Sequence, residues 1–528
     1  MRKLYRNILT RNLKPVYAFI LIGIISFGNV NAQSSVTINL DNTRQIIRGF
    51  GAANILPWRP DMTQDEINTA FGTGDGQLGF SILRLRVPSD ENTFSSNLTT
   101  AKIAHSMGVT LIASPWSPPA SMKTNGNIVG GELKESDYGN FAAYLKKFVD
   151  YMNENGAPIY AVSVQNEPDV SVSYESCDYN ASQMLKFVKE NGKSIGTKVI
   201  APESFQFRRQ LSDPLLNDSV ACSNFDILGG HIYSGGLSAY PLAESKGKEV
   251  WMTEHLTESG HSANIWSYAM DVALEMQQVM NANMSAYVWW YIVRYYGPIG
   301  DGEKSTSNPN EDFSAKGEVT KKGYVMSQFS RFIRPGYYRV EGTYQPQTGI
   351  YVTAYKDSSL SKIVIVAINT SSQSKEQQFN LANKSVDMFV PYVTTNSKNC
   401  AEEAGISVNG GSFTAALEAS SITTFVSKGD IVAVKETSVI PQSYYLFQNY
   451  PNPFNPTTNI VYQISKTSNV VLKVYDVLGR TVQILVNDTQ SPDQYTVVFN
   501  AHNLSGGIYF YRLEAGSFTE TKKLILMK

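Results

Sequence analysis

From Arg48 to about Ser330 the chain alternates short apolar runs with amphipathic segments. Eight runs stand out: Ile46–Ala53, Phe80–Val87, Thr110–Trp116, Ile159–Glu167, Lys198–Phe205, Phe225–Tyr233, Glu249–Glu254 and Ala286–Ile292. Runs that are apolar on both faces suit parallel strands covered by helices. The segments between them, such as Tyr138–Asn155 and Ser182–Gly192, repeat apolar residues at helical three- and four-residue steps. Eight such units in about 250 residues predict a (β/α)8 TIM barrel over 48–335. A doubly wound open sheet is the main alternative, but the G-x-G-x-x-G expected after its first strand is absent.

After Pro335 the pattern changes to period-two strands, such as Ile350–Tyr355, Lys362–Ile368 and Ser421–Val426. Residues 336–428 therefore read as an antiparallel β-sandwich side domain, which the strand Val36–Leu40, within 33–47, is expected to join. A polar stretch, 429–443, reads as a linker. Residues 444–528 show strands and turn signals again and predict a separate all-β, Ig-like module. At the other end, Arg2, Lys3, Arg6, Arg11 and Lys14 precede the apolar run Val16–Phe27 and the small-residue site Val30-Asn31-Ala32. That order predicts a secretory signal peptide over 1–32. Its apolar run is too short for the ~20 residues of a spanning helix, so stable membrane insertion is not expected.

Composition narrows the partners. Of 528 residues, 45 are Lys or Arg and 46 are Asp or Glu, for a net charge of −1. No basic excess exists to capture nucleic acid or an anionic membrane. Charged residues are 17% and aromatics 11%. A chain low in charge and rich in Tyr reads as secreted, with aromatics available for a sugar-binding cleft as well as for the core. The three cysteines, Cys177, Cys222 and Cys400, form no C-x-x-C pair, so no metal site is expected. One disulfide can form among them, and the spacing does not say which.

In a barrel the reactive groups lie at the C-terminal ends of the strands. The fourth run ends Gln165-Asn166-Glu167-Pro168 and the seventh ends Trp251-Met252-Thr253-Glu254-His255. Two carboxylates on one rim are what glycoside hydrolysis requires: one protonates the leaving oxygen, the other attacks the anomeric carbon or activates water. Asn166 suits a hydrogen bond to a sugar 2-hydroxyl. Arg84, Trp116, His231, Tyr233 and Trp289 to Tyr291 are further rim candidates for sugar contact, with Trp116 offering a stacking face. Arg84 can also keep a nearby carboxylate ionised. Glu203 ends another strand and reads as a supporting partner.

The barrel resembles glycoside hydrolase family 30, in its bacterial glucuronoxylanase branch. The matching strings are Ile47-Arg48-Gly49-Phe50-Gly51, Leu78-Gly79-Phe80-Ser81-Ile82-Leu83-Arg84, Ala113-Ser114-Pro115-Trp116, Ser163-Val164-Gln165-Asn166-Glu167-Pro168-Asp169, Ile200-Ala201-Pro202-Glu203-Ser204-Phe205, Trp251-Met252-Thr253-Glu254 and Ala286-Tyr287-Val288-Trp289-Trp290-Tyr291. The likeness runs from about residue 36 to 428. It implies a retaining endo-β-1,4-xylanase without metal or organic cofactor, with Glu167 as acid/base and Glu254 as nucleophile. It also implies that Arg294 and Tyr296, after the eighth strand, bind the glucuronate group of glucuronoxylan. Arginine suits that role because its fork pairs bidentately with a carboxylate, although pairing with a protein carboxylate is the alternative. The branch usually has an aromatic where this chain has Leu256 and a Tyr where it has Val170. Both departures remove sugar contacts and weaken the implied preference.

The tail motifs Gln448-Asn449-Tyr450-Pro451-Asn452-Pro453-Phe454-Asn455-Pro456, Val474-Tyr475-Asp476-Val477-Leu478-Gly479-Arg480 and Gly506-Gly507-Ile508-Tyr509 resemble the sorting domain of type IX secretion substrates. That implies engagement of the type IX machinery and passage through the periplasm to the medium or cell surface. The enzyme is expected to work as a monomer. Two other functions stay open: another family 30 β-glycosidase, glucosylceramidase-like or β-1,6-glucanase, and a catalytically inactive polysaccharide-binding protein.

Overall fold

The computed structural model describes residues 35–305, 314–433 and 443–527. The expected signal peptide and most of the expected linker lie outside the described residues. The chain divides into two compact units, one running to Ile431 and one from Val432.

In the first unit, strand β1 (Ser35–Ile46) precedes eight parallel strands that close into a barrel. These are β2 (Gly49–Ala53), β3 (Ile82–Val87), β4 (Thr110–Pro115), β5 (Ile159–Ser163), β6 (Lys198–Ser204), β7 (Ile227–His231), β8 (Glu249–Glu254) and β9 (Ala286–Tyr291). Closure comes from β2 pairing β9 in parallel, from Gly49 opposite Ala286 to Ala53 opposite Tyr291. Except for β8, which matches its run, the strands are shorter than the apolar runs. The fourth run pairs only over Ile159–Ser163, so Glu167 lies on the loop beyond it.

Helices form the outer layer because their apolar stripes meet the outward residues of the strands. Helix Tyr138–Glu154 buries Phe141, Leu145, Phe148, Val149 and Met152, spaced at three and four. The first barrel helix, Gln64–Phe71, starts in a capping box between Thr63 and Glu66.

Ten further strands of this unit form one sheet in which β10 (Tyr338–Gly342), β11 (Ile350–Lys356) and β12 (Ile363–Asn369) run antiparallel, and β1 joins β10 to β13 (Lys375–Leu381). The β1–β13 pair is parallel, where an all-antiparallel sandwich was expected, because β1 arrives from outside the hairpin succession. Strand β12 is buried on both faces. Ile363, Ile365 and Ala367 enter the sheet's own core with Phe379, Phe389, Phe413 and Phe425. Val364, Val366 and Ile368 join the core around the barrel. At that seam Gln277 Nε2 donates to the Val366 carbonyl at 3.2 Å, and Thr353 Oγ1 donates to Gln277 Oε1 at 3.0 Å. Cys177, Cys222 and Cys400 are all free thiols.

The second unit is all-β, with a three-stranded and a four-stranded sheet built from hairpins such as Gly507–Ala515 with Phe518–Leu526. It has its own core, including Leu446, Ile460, Tyr462, Leu472, Val474, Phe499, Tyr511 and Leu513.

Candidate active site

The lower layer of the barrel interior is apolar: Ile82, Ile112, Ala161, Ile200, Ile227, Trp251, Ala286 and Val288. Inward positions recur every second residue along a strand. The next inward residues toward the C-terminal end are therefore Arg84 after Ile82 and Ser114 after Ile112. Above the apolar layer, Arg84, Ser114, Asn166, Glu167, Glu203, His231 and Glu254 are all buried. So many buried polar groups are tolerable only when paired.

Arg84 is the hub. Its Nη1 donates to Glu254 Oε2 at 2.5 Å, and its Nη2 to Asn166 Oδ1 at 2.7 Å and Glu203 Oε1 at 3.2 Å. Its Nε reaches Ser114 Oγ at 3.3 Å. Glu254 also accepts from the Tyr233 hydroxyl, at 2.8 Å on Oε1. Glu167 Oε1 lies 2.8 Å from His231 Nδ1, and its Oε2 accepts from the Tyr174 hydroxyl at 3.3 Å. The other His231 nitrogen is 3.7 Å from Glu203 Oε1, beyond hydrogen-bond range but close enough for charge pairing. A carboxylate oxygen of Glu167, one of Glu254 and a His231 ring nitrogen lie within 4.8 Å of one another.

The charges follow from burial set against these partners. Burial alone lowers the Arg84 pKa, but Glu203 and Glu254 outweigh it and hold the guanidinium above its ordinary value. Burial raises the Glu203 pKa, yet Arg84 and His231 overcome it and bring the carboxyl down to about 2. His231 is raised to about 9: burial opposes its charge, while Glu254, Glu167 and Glu203 favour it. Glu254 is raised, first by burial and then by Glu167, against His231 and Arg84. Glu167 and Glu203 have left-handed backbones, φ 46° and 58°, which cost a non-glycine residue on the order of 1–3 kcal/mol. The Glu167 N–H donates to the Glu203 carbonyl at 3.1 Å, tying the two strained ends together.

Above this layer opens a cavity of about 540 Å³ lined by Trp58, Trp116, Glu167, Tyr174, Phe205, Tyr233, Glu254, Leu256 and Trp290. An aromatic trough with two carboxylates at its floor can hold a sugar chain against its rings and act on the bond beneath.

Comparison with known proteins agrees with this chemistry. The model of the glycosyl hydrolase family 30 TIM-barrel domain matches residues 64–204. A glucuronoxylanase of Bacillus subtilis is 42% identical over 408 residues, covering 75% of this chain and 92% of its own. The chain belongs to glycoside hydrolase family 30. It is a xylanase-like glycoside hydrolase. Among solved structures, a family 30 subfamily 8 xylanase of Clostridium acetobutylicum superposes with a TM-score of 0.67 at 39% identity, covering 75% of this chain and all of that one. A family 30 endoxylanase of Clostridium papyrosolvens does so with a TM-score of 0.65 at 40% identity over the same shares. The model of the secretion system C-terminal sorting domain matches residues 448–527, which marks the chain for type IX export to the medium or cell surface. No helix among the described residues is long and apolar enough to cross a membrane.

Within this family 30 barrel, the residues singled out from sequence divide into two groups. Glu167, Glu254, Tyr233 and Trp116 line the cleft. Arg84 and His231, expected to touch sugar, are both fully buried and act on the carboxylates instead, which for Arg84 is the other role its position suggested. Asn166 gives its amide oxygen to Arg84, which leaves its NH2 as the group for a sugar hydroxyl. Trp289 is a correction. It points outward and is fully buried in the helix-facing core, under Lys322 at 5.3 Å. Trp290 continues the inward series of Ala286 and Val288 and lines the cleft, and the ladder skips it: Ala52 pairs Trp289 and Ala53 pairs Tyr291. Trp116 offers less stacking face than expected because Trp58 and Trp290 pack on it, at centroid distances of 5.4 and 5.7 Å. The accessible rings are Trp58 and Tyr174, 37% and 45% exposed, neither foreseen. Both lie on loops, where no periodicity points to them. Val170 leaves a tyrosine missing, and Tyr174 brings one to Glu167 from further along the same loop. Arg294 pairs with Asp301 and Glu303, and the buried Tyr296 ring lies 5.8 Å from its guanidinium.

Proposed function

We propose that this family 30 enzyme is a retaining endo-β-1,4-xylanase acting on glucuronic-acid-substituted xylan, with Glu167 as acid/base and Glu254 as nucleophile. The observation that carries the mechanism is the approach of their carboxylate oxygens to within 4.8 Å. Retaining pairs stand about 5–5.5 Å apart, whereas inverting pairs leave roughly 6.5–9.5 Å for a water. With Glu203 and Glu254 ionised opposite Arg84 and a protonated His231, the buried cluster is neutral when Glu167 holds its proton. That is the state the first step needs.

In that step Glu254 attacks the anomeric carbon as Glu167 protonates the departing glycosidic oxygen, and a glycosyl ester forms on Glu254. Glu167, now a carboxylate, takes a proton from water, the hydroxide adds to the anomeric carbon, and Glu254 leaves. Arg84 and Tyr233, each on a different oxygen of Glu254, hold that carboxylate in place. The similarity to enzymes named glucuronoxylanase and xylanase supports the substrate, and the position of Arg294 after β9 supports a uronate contact. Export starts from the 1–32 leader and passes through the periplasm, and the enzyme acts as a monomer without metal or organic cofactor.

The test is product analysis on glucuronoxylan, unsubstituted xylan, β-1,6-glucan and glucosylceramide. Early proton NMR spectra are expected to show β-anomeric xylan fragments. Initial α-anomers refute retention, and cleavage confined to the last two substrates refutes the specificity.

A further inference from the structure

Arg294 sits in a ring of four charges. Its Nη1 donates to Asp301 Oδ2 at 2.8 Å and to Glu303 Oε2. Arg59, brought in by the loop after β2, donates through Nη2 to the same Asp301 oxygen at 2.8 Å and to Glu303 Oε1 at 3.3 Å. Two guanidinium groups and two carboxylates cancel. The carboxylates are not equivalent. The Asp301 side chain is 5% exposed and binds both arginines, whereas Glu303 is 54% exposed. The Glu303 N–H donates to Asp301 Oδ1 at 2.9 Å, so its backbone is anchored while its side chain rests on the cluster from outside. Arg294 itself is held by Tyr295, whose ring centroid lies 4.5 Å from the guanidinium carbon. With Glu303 gone, Arg294 keeps Asp301 and Tyr295 as partners.

We propose that Glu303 is an exchangeable specificity residue: it occupies the outer side of Arg294, and an incoming uronate carboxylate displaces it into water. The inference rests on the reading of Arg294 as the uronate-binding residue. Asp301 stays in place and separates the two like charges. Replacing one carboxylate by another leaves the cluster neutral, so the acidic substituent gains only the difference between its own contact and that of Glu303. The result is a lowered preference for acidic over neutral xylan chains, which lets the enzyme work on both.

The experiment compares kcat/KM on a xylo-oligosaccharide bearing one 4-O-methylglucuronate with kcat/KM on the neutral oligosaccharide of equal length. The ratio is taken on one preparation, so the fraction folded cancels. Glu303→Gln and Glu303→Ala are both expected to raise it by about twofold to fivefold, the range for removing one partly exposed ion-pair partner. Arg294→Ala is expected to lower it. If Arg294→Ala lowers the ratio and neither Glu303 variant raises it, the displacement inference fails and the uronate reading survives. If Arg294→Ala leaves the ratio unchanged, that reading fails and takes the inference with it.

Discussion

Replacing Arg84 by Met keeps most of its volume and removes its charge. The structure sets the cost. Four hydrogen bonds go at once, and Glu203 and Glu254 are left in a buried layer with His231 as the remaining close cation. Breaking a buried ion pair from one side costs about 3–5 kcal/mol. The pH dependence is the sharper part. In the native protein the depressed Glu203 pKa contributes stability that is complete above its ordinary 4.5 and is lost as pH falls toward about 2. Without Arg84, burial drives that pKa upward instead, and the carboxyl protonates at mild acidity. The stability difference between native and variant is therefore largest at neutral pH. It shrinks by about 1.4 kcal/mol for each unit below the variant's new pKa. Urea unfolding of both proteins at pH 7.5 and pH 5 measures this. The variant is also expected to lose turnover more than binding, because Glu254 loses its strongest positioning partner. A cost below about 1 kcal/mol at pH 7.5, or an equal cost at both pH values, refutes the view that Arg84 is the charge on which this layer depends.

His231, raised to about 9, contributes stability that is complete below its ordinary 6.5 and is lost as pH rises through 9, on the order of 3 kcal/mol in all. Urea midpoints between pH 6 and 10 are expected to fall more steeply in the native protein than in His231→Gln. Tyr233→Phe keeps the stack on Phe205, 5.0 Å between centroids, but removes the bond to Glu254. It is expected to lower kcat by about tenfold to a hundredfold with little change in KM, and steady-state kinetics on xylan decide. The two adjacent tryptophans separate cleanly. Trp290→Ala is expected to raise KM with stability kept, whereas Trp289→Ala costs about 3–5 kcal/mol in urea unfolding. Because residues 432–528 form a unit with its own core, their removal is expected to leave xylan hydrolysis intact and to abolish type IX export, read by fractionating cells and medium.

Much of this molecule is legible along the chain. The barrel follows from eight two-faced apolar runs, because a strand covered by helices on one side and barrel interior on the other has no polar face to show. Glu167 and Glu254 stand out for the same reason: a carboxylate that closes such a run falls at the rim, whatever the loops do. The strand motifs of the tail are equally local. What the tertiary structure alone decides is which side each rim residue faces and what it meets there. Trp289 and Trp290 are adjacent, so strand alternation sends them to opposite faces, and the inward register of Ala286 and Val288 in the closed barrel decides that Trp290 takes the cleft and Trp289 the core. His231 becomes a partner of the carboxylates rather than of sugar, and Arg84 keeps only the carboxylate role, because burial is a sum over all neighbours, and those come from different strands of the barrel. Trp58 and Tyr174 reach the cleft on loops, which carry no period. Arg294 illustrates the limit most clearly. Its identity suits a uronate, yet its partners are a loop carboxylate seven residues on and one two beyond that, shared with Arg59 from the opposite end of the barrel sequence. Periodicity is a property of a single strand or helix, whereas the charge a guanidinium meets depends on which distant segments the closed barrel brings to its rim.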